Sequence, residues 1–203
     1  MKISKRRFVW LIIILAFLML YFPINRLAVG GWALSLPVDK SIPLYPPALV
    51  PYLLGSILFV GFPIWAAARS ETTEFEAYVL SFLTATLISY IAYLALPTYV
   101  LRPEITSQDY FSEAIALLYQ NDYPHNAAPS EHTFYTLISF LYIRRWRPKL
   151  QIVSLIVAIL IIASTLLTKQ HYVLDMITGL ILGFMAYWAG RYIQRKWDLK
   201  FAT

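Results

Sequence analysis

The chain contains no cysteine, so a small scaffold held by disulfides is excluded. It is also poor in charge. Lys and Arg number 17 and Asp and Glu 11, together 14% of 203 residues, against roughly a quarter in an average soluble domain. No internal repeat or low-complexity tract is visible. The net charge of +6 comes without a basic stripe interleaved with polar residues, because the cations stand beside apolar runs. Nucleic acid is thereby excluded as a leading partner. What is abundant is apolar: 59% of the residues are hydrophobic, and the mean hydropathy is +0.60. This is the composition of a single polytopic domain whose solvent is the lipid bilayer.

Six apolar segments are readable, approximately 8–27, 48–68, 75–96, 131–146, 150–167 and 171–193. At about 20 residues per span they use ~120 residues and leave ~80 for loops and tails. None alternates with a period of two, so a β-barrel is disfavoured, and helices satisfy their own backbone in lipid. The expected fold is all-α, with six transmembrane helices and both termini cytoplasmic. The basic head Lys2, Lys5, Arg6 and Arg7 on an apolar run could be a cleaved signal peptide, but the length of the run and the spans behind it favour an uncleaved first helix. The fourth segment is the weakest, being short and stopped by Pro148. Charge asymmetry supports it. With six spans, thirteen of the seventeen cations, Lys2 and Lys200 among them, face the cytoplasm. Four, Arg26, Lys40, Arg102 and Lys169, face outward. Counting acids, Asp198 among the inner ones, gives +9 inside and −3 outside. Both long connections, 28–48 and 97–131, are then external; the second has room for a surface helix over Asp109–Gln120.

Three polar stretches fall at the outer ends of spans: Pro97 to Glu104, Pro129-Ser130-Glu131-His132, and Ser164 to Asp175. His171 and Asp175 are four apart, so on a helix they share a face. A carboxylate there can fix the imidazole tautomer and leave the second nitrogen free. Ser130 is a good N-cap, and the helix it opens presents free N–H groups to an anion. His132 in that first turn is placed to give a proton to a leaving oxygen. Arg102 can meet a phosphate bidentately. Anion cradle, nucleophile, orienting carboxylate and proton donor together describe phosphoryl transfer through a phosphohistidine.

These stretches resemble the phosphatidic acid phosphatase type 2, or lipid phosphate phosphatase, superfamily, whose signatures are K-x6-R-P, P-S-G-H and S-R-x5-H-x3-D. The chain reads R-P at Arg102-Pro103, P-S-E-H at Pro129–His132, and S-T-x5-H-x3-D at Ser164, Thr165, His171 and Asp175. The resemblance implies His171 as nucleophile, Asp175 as its partner, and His132 as the acid that later activates water. Arg102 and Ser130 would hold the phosphate, with Ser164, Thr165 and Lys169 as further contacts, and without metal or other cofactor. Three positions depart from the pattern: Ala95 for the lysine, Thr165 for the arginine and Glu131 for the glycine. Lys169 could replace the lost cation if the helix persists that far. The departures are similar to the inositol phosphorylceramide synthase-like branch, which transfers a headgroup rather than hydrolysing a monoester.

The expected function is therefore a lipid phosphatase of the cell membrane with an extracytoplasmic site, acting on a phospholipid or isoprenoid phosphate. Headgroup transfer to a lipid alcohol is the enzymatic alternative. A zinc site of His132, His171 and Asp175 and a non-catalytic lipid-binding scaffold are the other classes. The plainer readings stand beside these. Lys169 could snorkel, Ser164 and Thr165 could bond their own helix, Glu131 could serve the helix dipole, and His125 reads as solvated surface.

Overall fold

The computed structural model describes residues 3–201, with side chains for 3–197. Lys2 and the side chains of Asp198 and Lys200, which enter the charge asymmetry above, lie outside the described residues. The fold is all-α: among the described residues there are isolated β-bridges, Trp32 with Thr98 and Tyr99 with His125, and no strand. The helices are α1 (Lys5–Leu27), α2 (Pro37–Ser41), α3 (Leu49–Arg69), α4 (Thr72–Ala95), α5 (Tyr110–Asn121), α6 (Glu131–Trp146), α7 (Gln151–Leu167) and α8 (Val173–Phe201). Short 3-10 turns at Pro46–Ala48 and Pro148–Leu150 lead into α3 and α7, each opened by proline.

Among the described residues five helical segments are long and apolar enough to cross a membrane: Lys5–Leu27, Pro46–Arg69, Thr72–Ala95, Pro148–Leu167 and Val173–Trp197. The expected fourth span is a helix, but its 16 residues fall short of that standard. Its surroundings supply the reason. α6 packs against α3, α4, α7 and α8, and Phe134, Tyr135, Ile138 and Tyr142 on it are buried. A helix enclosed by other helices does not need the lipid-facing apolarity of a peripheral one. α1 is the opposite case, apolar nearly all round, with only Ile14, Leu18 and Asn25 buried.

The core is aromatic. Phe82 stacks on Tyr135 at a centroid distance of 4.2 Å, and Tyr78 meets Tyr142 edge-on at 5.5 Å. Their hydroxyls are paired at depth: Thr86 Oγ1 lies 2.8 Å from Tyr135 Oη, and Ser81 Oγ lies 3.0 Å from Tyr142 Oη. α8 approaches both α4 and α6 through glycine. A Cβ on Gly190 would stand 2.3 Å from Ser81 N, and one on Gly179 would stand 2.8 Å from the Ser130 carbonyl oxygen. Small residues permit such backbone approach between apolar helices.

The two ends of the bundle differ in chemistry. At one end Glu74 accepts from Arg145 in bidentate fashion and from the Trp146 indole, with Arg191 at 3.5 Å; Glu76 pairs with Arg6 at 2.6 Å. The other end carries the two long connections. Asp109 caps α5, accepting from Phe111 N and Ser112 N, within a residue of the expected surface helix. Residues 28–48 fold over the α7–α8 turn. Asp39 accepts from Leu36 N and Val173 N, and Tyr45 N donates to the Leu167 carbonyl.

Two local expectations are corrected. α8 begins at Val173, so His171 lies in the turn before it and does not share a helical face with Asp175. Asp175 instead reaches back to accept from Tyr172 N at 2.8 Å, as an acidic first-turn residue does. Likewise α7 stops at Leu167, and Lys169 adopts φ 53. The helix does not carry Lys169 one turn beyond Thr165.

Candidate active site

The polar end encloses a cavity of about 300 Å³ between α1, α3, the start of α6 and the α7–α8 turn. His132, His171 and Arg102 line it together, so all three sequence stretches meet in one place. The imidazole centroids of His132 and His171 are 6.5 Å apart.

α6 starts at Ser130 because its hydroxyl caps the helix, accepting from Thr133 N at 3.4 Å and from the Thr133 hydroxyl at 3.1 Å. The chain leading in is held from several sides. Tyr93 on α4 donates to the Pro129 carbonyl at 2.5 Å, Ala128 N donates to Thr98 Oγ1, and Ser130 N donates to the Asp175 carbonyl. Ser130 itself is buried behind the wall. His132 then projects from the first turn, stacked on Tyr52 at 4.1 Å and flanked by Phe59 at 4.7 Å. Ser56 Oγ lies 3.1 Å from its Nε2. Gly55 makes the fit possible, since a Cβ there would sit 3.0 Å from His132 Cδ2.

His171 is oriented by a backbone group. Its Nδ1 lies 2.9 Å from the Ala127 carbonyl oxygen, while Asp175 Oδ2 is 3.7 Å away. A carbonyl only accepts, so Nδ1 carries the hydrogen, and in the neutral ring Nε2 then presents a lone pair. The Asp175 carboxylate, fully buried, faces the same nitrogen from farther off.

Arg102 is largely engaged by protein. Nη1 donates to the Asp122 carbonyl at 2.5 Å and to that of Tyr119 at 3.4 Å; Nη2 meets the Tyr123 carbonyl and Gln170 Oε1. Its guanidinium lies 4.7 Å from the Tyr119 ring centroid. The Nε–H is buried without a protein partner. One free N–H thus replaces the open fork expected of a bidentate contact.

The remaining candidates stand behind the wall. Ser164 Oγ donates to the Ile161 carbonyl and Thr165 Oγ1 to that of Ile162, their own helix in both cases. Lys169 Nζ donates to the carbonyls of Asp39 and Ile42, and burial pulls its pKa down. Among the described residues no group of three or more His, Asp or Glu side chains is placed to share a metal ion, and His132, His171 and Asp175 do not converge.

Several lining residues were not singled out in the sequence. Ser56 and Tyr52 come from an apolar span, where only the small pair Gly55-Ser56 hints at a close approach. Asn126 and Gln170 flank the motifs. Asp122 accepts from the Tyr21 hydroxyl at 2.9 Å, and burial, only partly offset by Arg102, pushes its pKa up. His125, expected as solvated surface, lines the cavity instead; burial, then the Arg102 charge, pulls its pKa down. The loop is fixed from α1 by Asn25, which donates to the carbonyls of Tyr123 and His125.

A sequence model described as the PAP2 superfamily matches residues 31–189. That interval holds every motif residue named above. No curated protein and no solved structure matches the chain.

Proposed function

The chain belongs to the PAP2 superfamily, and from that premise we propose that it is a lipid phosphatase working through a phosphohistidine at the extracytoplasmic face. It would cross the membrane six times with both termini cytoplasmic, α6 included. The observation that carries the reading is the His171–Ala127 contact, which holds Nδ1 protonated and points the Nε2 lone pair to the cavity. Nε2 attacks phosphorus and the bond to the leaving oxygen breaks as His132 protonates it. A water then attacks the phosphohistidine, giving its proton to His132, and the P–N bond breaks. Negative charge in transit is met by the Arg102 Nε–H and by the Glu131 and His132 N–H groups at the start of α6, which no carbonyl within the helix can reach. Ser130, Ser164, Thr165 and Lys169 keep the cap and turn in shape behind these groups.

A lipid substrate is supported by the remaining wall. Leu18, Met19 and Phe22 of α1 and Leu53 and Val60 of α3 line the same cavity. An acyl or isoprenoid chain could lie between these helices while its phosphate reaches His171. Transfer to a lipid alcohol is the second reading. It is favoured by the engagement of both terminal nitrogens of Arg102 with protein acceptors, which leaves fewer free N–H donors than the three terminal oxygens of a dianionic monoester call for.

The test is turnover of purified protein on a panel of phospholipids, with and without a lipid alcohol. Release of inorganic phosphate, lost in His171→Ala, supports hydrolysis. Acceptor-dependent appearance of a new phosphodiester supports transfer. Full turnover by His171→Ala would exclude both.

A further inference from the structure

The α7–α8 turn brings an amide, and not a cation, to the cavity. Thr165 stands where the family pattern has arginine, and its hydroxyl bonds to its own helix. Its carbonyl accepts from Gln170 N at 3.0 Å and from His171 N at 3.1 Å, and both of these residues line the cavity. Lys169 is committed elsewhere, to the carbonyls of Asp39 and Ile42.

The orientation of the amide follows from its neighbour. Arginine has only donors, and Arg102 Nη2 donates to Gln170 Oε1, so Nε2 is the amide atom left over. Gln170 is 4% exposed, and among the described residues nothing accepts from Nε2. An amide whose oxygen is held by a guanidinium is polarised toward donating from its nitrogen. Gln170 thereby extends the reach of Arg102, whose terminal nitrogens are taken.

Glu131 is the second such group. It opens α6 on the cavity wall, 7% exposed, and its Oε1 is buried with no donor among the described residues. Within electrostatic reach of it are Tyr21 from α1, Tyr52 from α3, Tyr90 and Tyr93 from α4, Tyr135 from α6 and Asp122 from the preceding loop. None of these is a cation, and Asp122 adds a second carboxyl. Arg102 and the three histidines share the cavity, but none of them bonds to Oε1. A buried carboxyl in such a place keeps its proton and is an uncharged donor. Asn126 has both amide atoms unpaired, so no neighbour orients it and it assigns nothing.

We propose that Gln170 and Glu131 hold the substrate phosphate as uncharged hydrogen-bond donors, beside the Arg102 Nε–H and the N–H groups that open α6. The terminal oxygens of a dianionic monoester only accept, so a ring of donors suits them. What Arg102 has lent to the protein is made up by its neighbours, which favours hydrolysis of a monoester over transfer. This rests on the lipid phosphatase reading above and deepens it to the atoms that bind the phosphate.

The probe is inorganic phosphate, added to the full chain in detergent micelles and read by thermal stabilisation between about pH 6 and pH 9. Turnover is read as phosphate release from phosphatidic acid. Gln170→Met removes the donor, and Gln170→Glu removes it while keeping an oxygen for Arg102. Both should weaken phosphate binding by about tenfold or more at neutral pH; melting without phosphate shows that each variant is folded. Glu131→Gln keeps a donor that cannot ionise. It should match the parent at acidic pH and exceed it by about tenfold at the alkaline end, where ionised Glu131 no longer donates. Comparing the two at each pH cancels the titration of phosphate itself. Binding by Gln170→Glu equal to the parent's would make Gln170 a support for Arg102 only. A constant ratio of parent to Glu131→Gln across pH would remove Glu131. Either result overturns the proposal. If both hold while the parent releases phosphate from lipid and His171→Ala does not, the catalytic reading still stands. If the variants lose phosphate as expected but the parent hydrolyses no lipid, the catalytic reading fails and the anion site stands.

Discussion

Ser56 Oγ lies 3.1 Å from His132 Nε2, joining the middle of α3 to the first turn of α6. With Tyr52 stacked on the same ring, this contact sets the direction in which the imidazole can pass a proton. Ser56→Ala should lower kcat by about tenfold and leave KM nearly unchanged, since a misdirected acid weakens the transition state more than the bound state. Steady-state kinetics on the best substrate, with the pH profile alongside, checks this. A change in KM alone would place Ser56 in binding instead.

The two histidines should fail differently. His171→Ala should abolish turnover and leave no trapped phosphoenzyme. His132→Ala should slow the reaction by ~10²–10⁴ while the protein can still be phosphorylated with a substrate whose leaving group needs no proton. Rapid quenching followed by intact-protein mass measurement separates the cases.

Gly179 is a packing position with a consequence for chemistry. A side chain there meets the Ser130 carbonyl at 2.8 Å and Thr133 Cβ at 2.9 Å. Gly179→Val should destabilise the protein by about 1–3 kcal/mol and reduce activity further at temperatures where it remains folded. Thermal unfolding and activity on the same preparation test both parts.

His125 makes the cavity loop sensitive to acid. Its folded-state pKa lies below the ordinary 6.5 because burial, then Arg102, disfavours the charged ring. A free chain therefore takes up the proton first. Loop stability should be full above pH 6.5 and fall as pH drops from there toward the folded value. Hydrogen exchange of residues 122–128 followed over pH should show the loss, and His125→Gln should remove it.

Much of the site was legible in the sequence because its reactive groups are rare polar residues at the ends of apolar segments. His132, His171 and Arg102 were identifiable on that ground, and they meet in the cavity. The orienting partner of His171 was not. Ala127 acts through its carbonyl, and a backbone oxygen has no residue-type signature. Nor could spacing reveal that α8 starts after His171, because an H-x3-D pattern fits a helix and a capped turn equally well. The reading of Lys169 turned on where α7 ends, and helix boundaries are poorly marked in sequence. Ser56 and Gly55 were hidden for another reason: in an apolar span, small residues mark close contact without saying with whom. α6 looked weak as a span because hydropathy measures suitability for lipid, whereas its neighbours are other helices.

The Ser130 N–H bond to the Asp175 carbonyl, together with the contact at Gly179, pins the start of α6 to the start of α8. The helix on the cavity's other side, α1, buries only Ile14, Leu18 and Asn25 and is tied mainly near its ends, through Arg6 and Arg7 at one and Tyr21 and Asn25 at the other, with the Phe17 carbonyl accepting from Tyr90 between them. Thermal swaying of α1 would therefore change the width of the opening toward the acyl chains while the gap between the imidazoles stays constant. Frame and door are different parts of this molecule, so mutations that alter how fast lipids come and go can accumulate on α1 without disturbing the reaction itself.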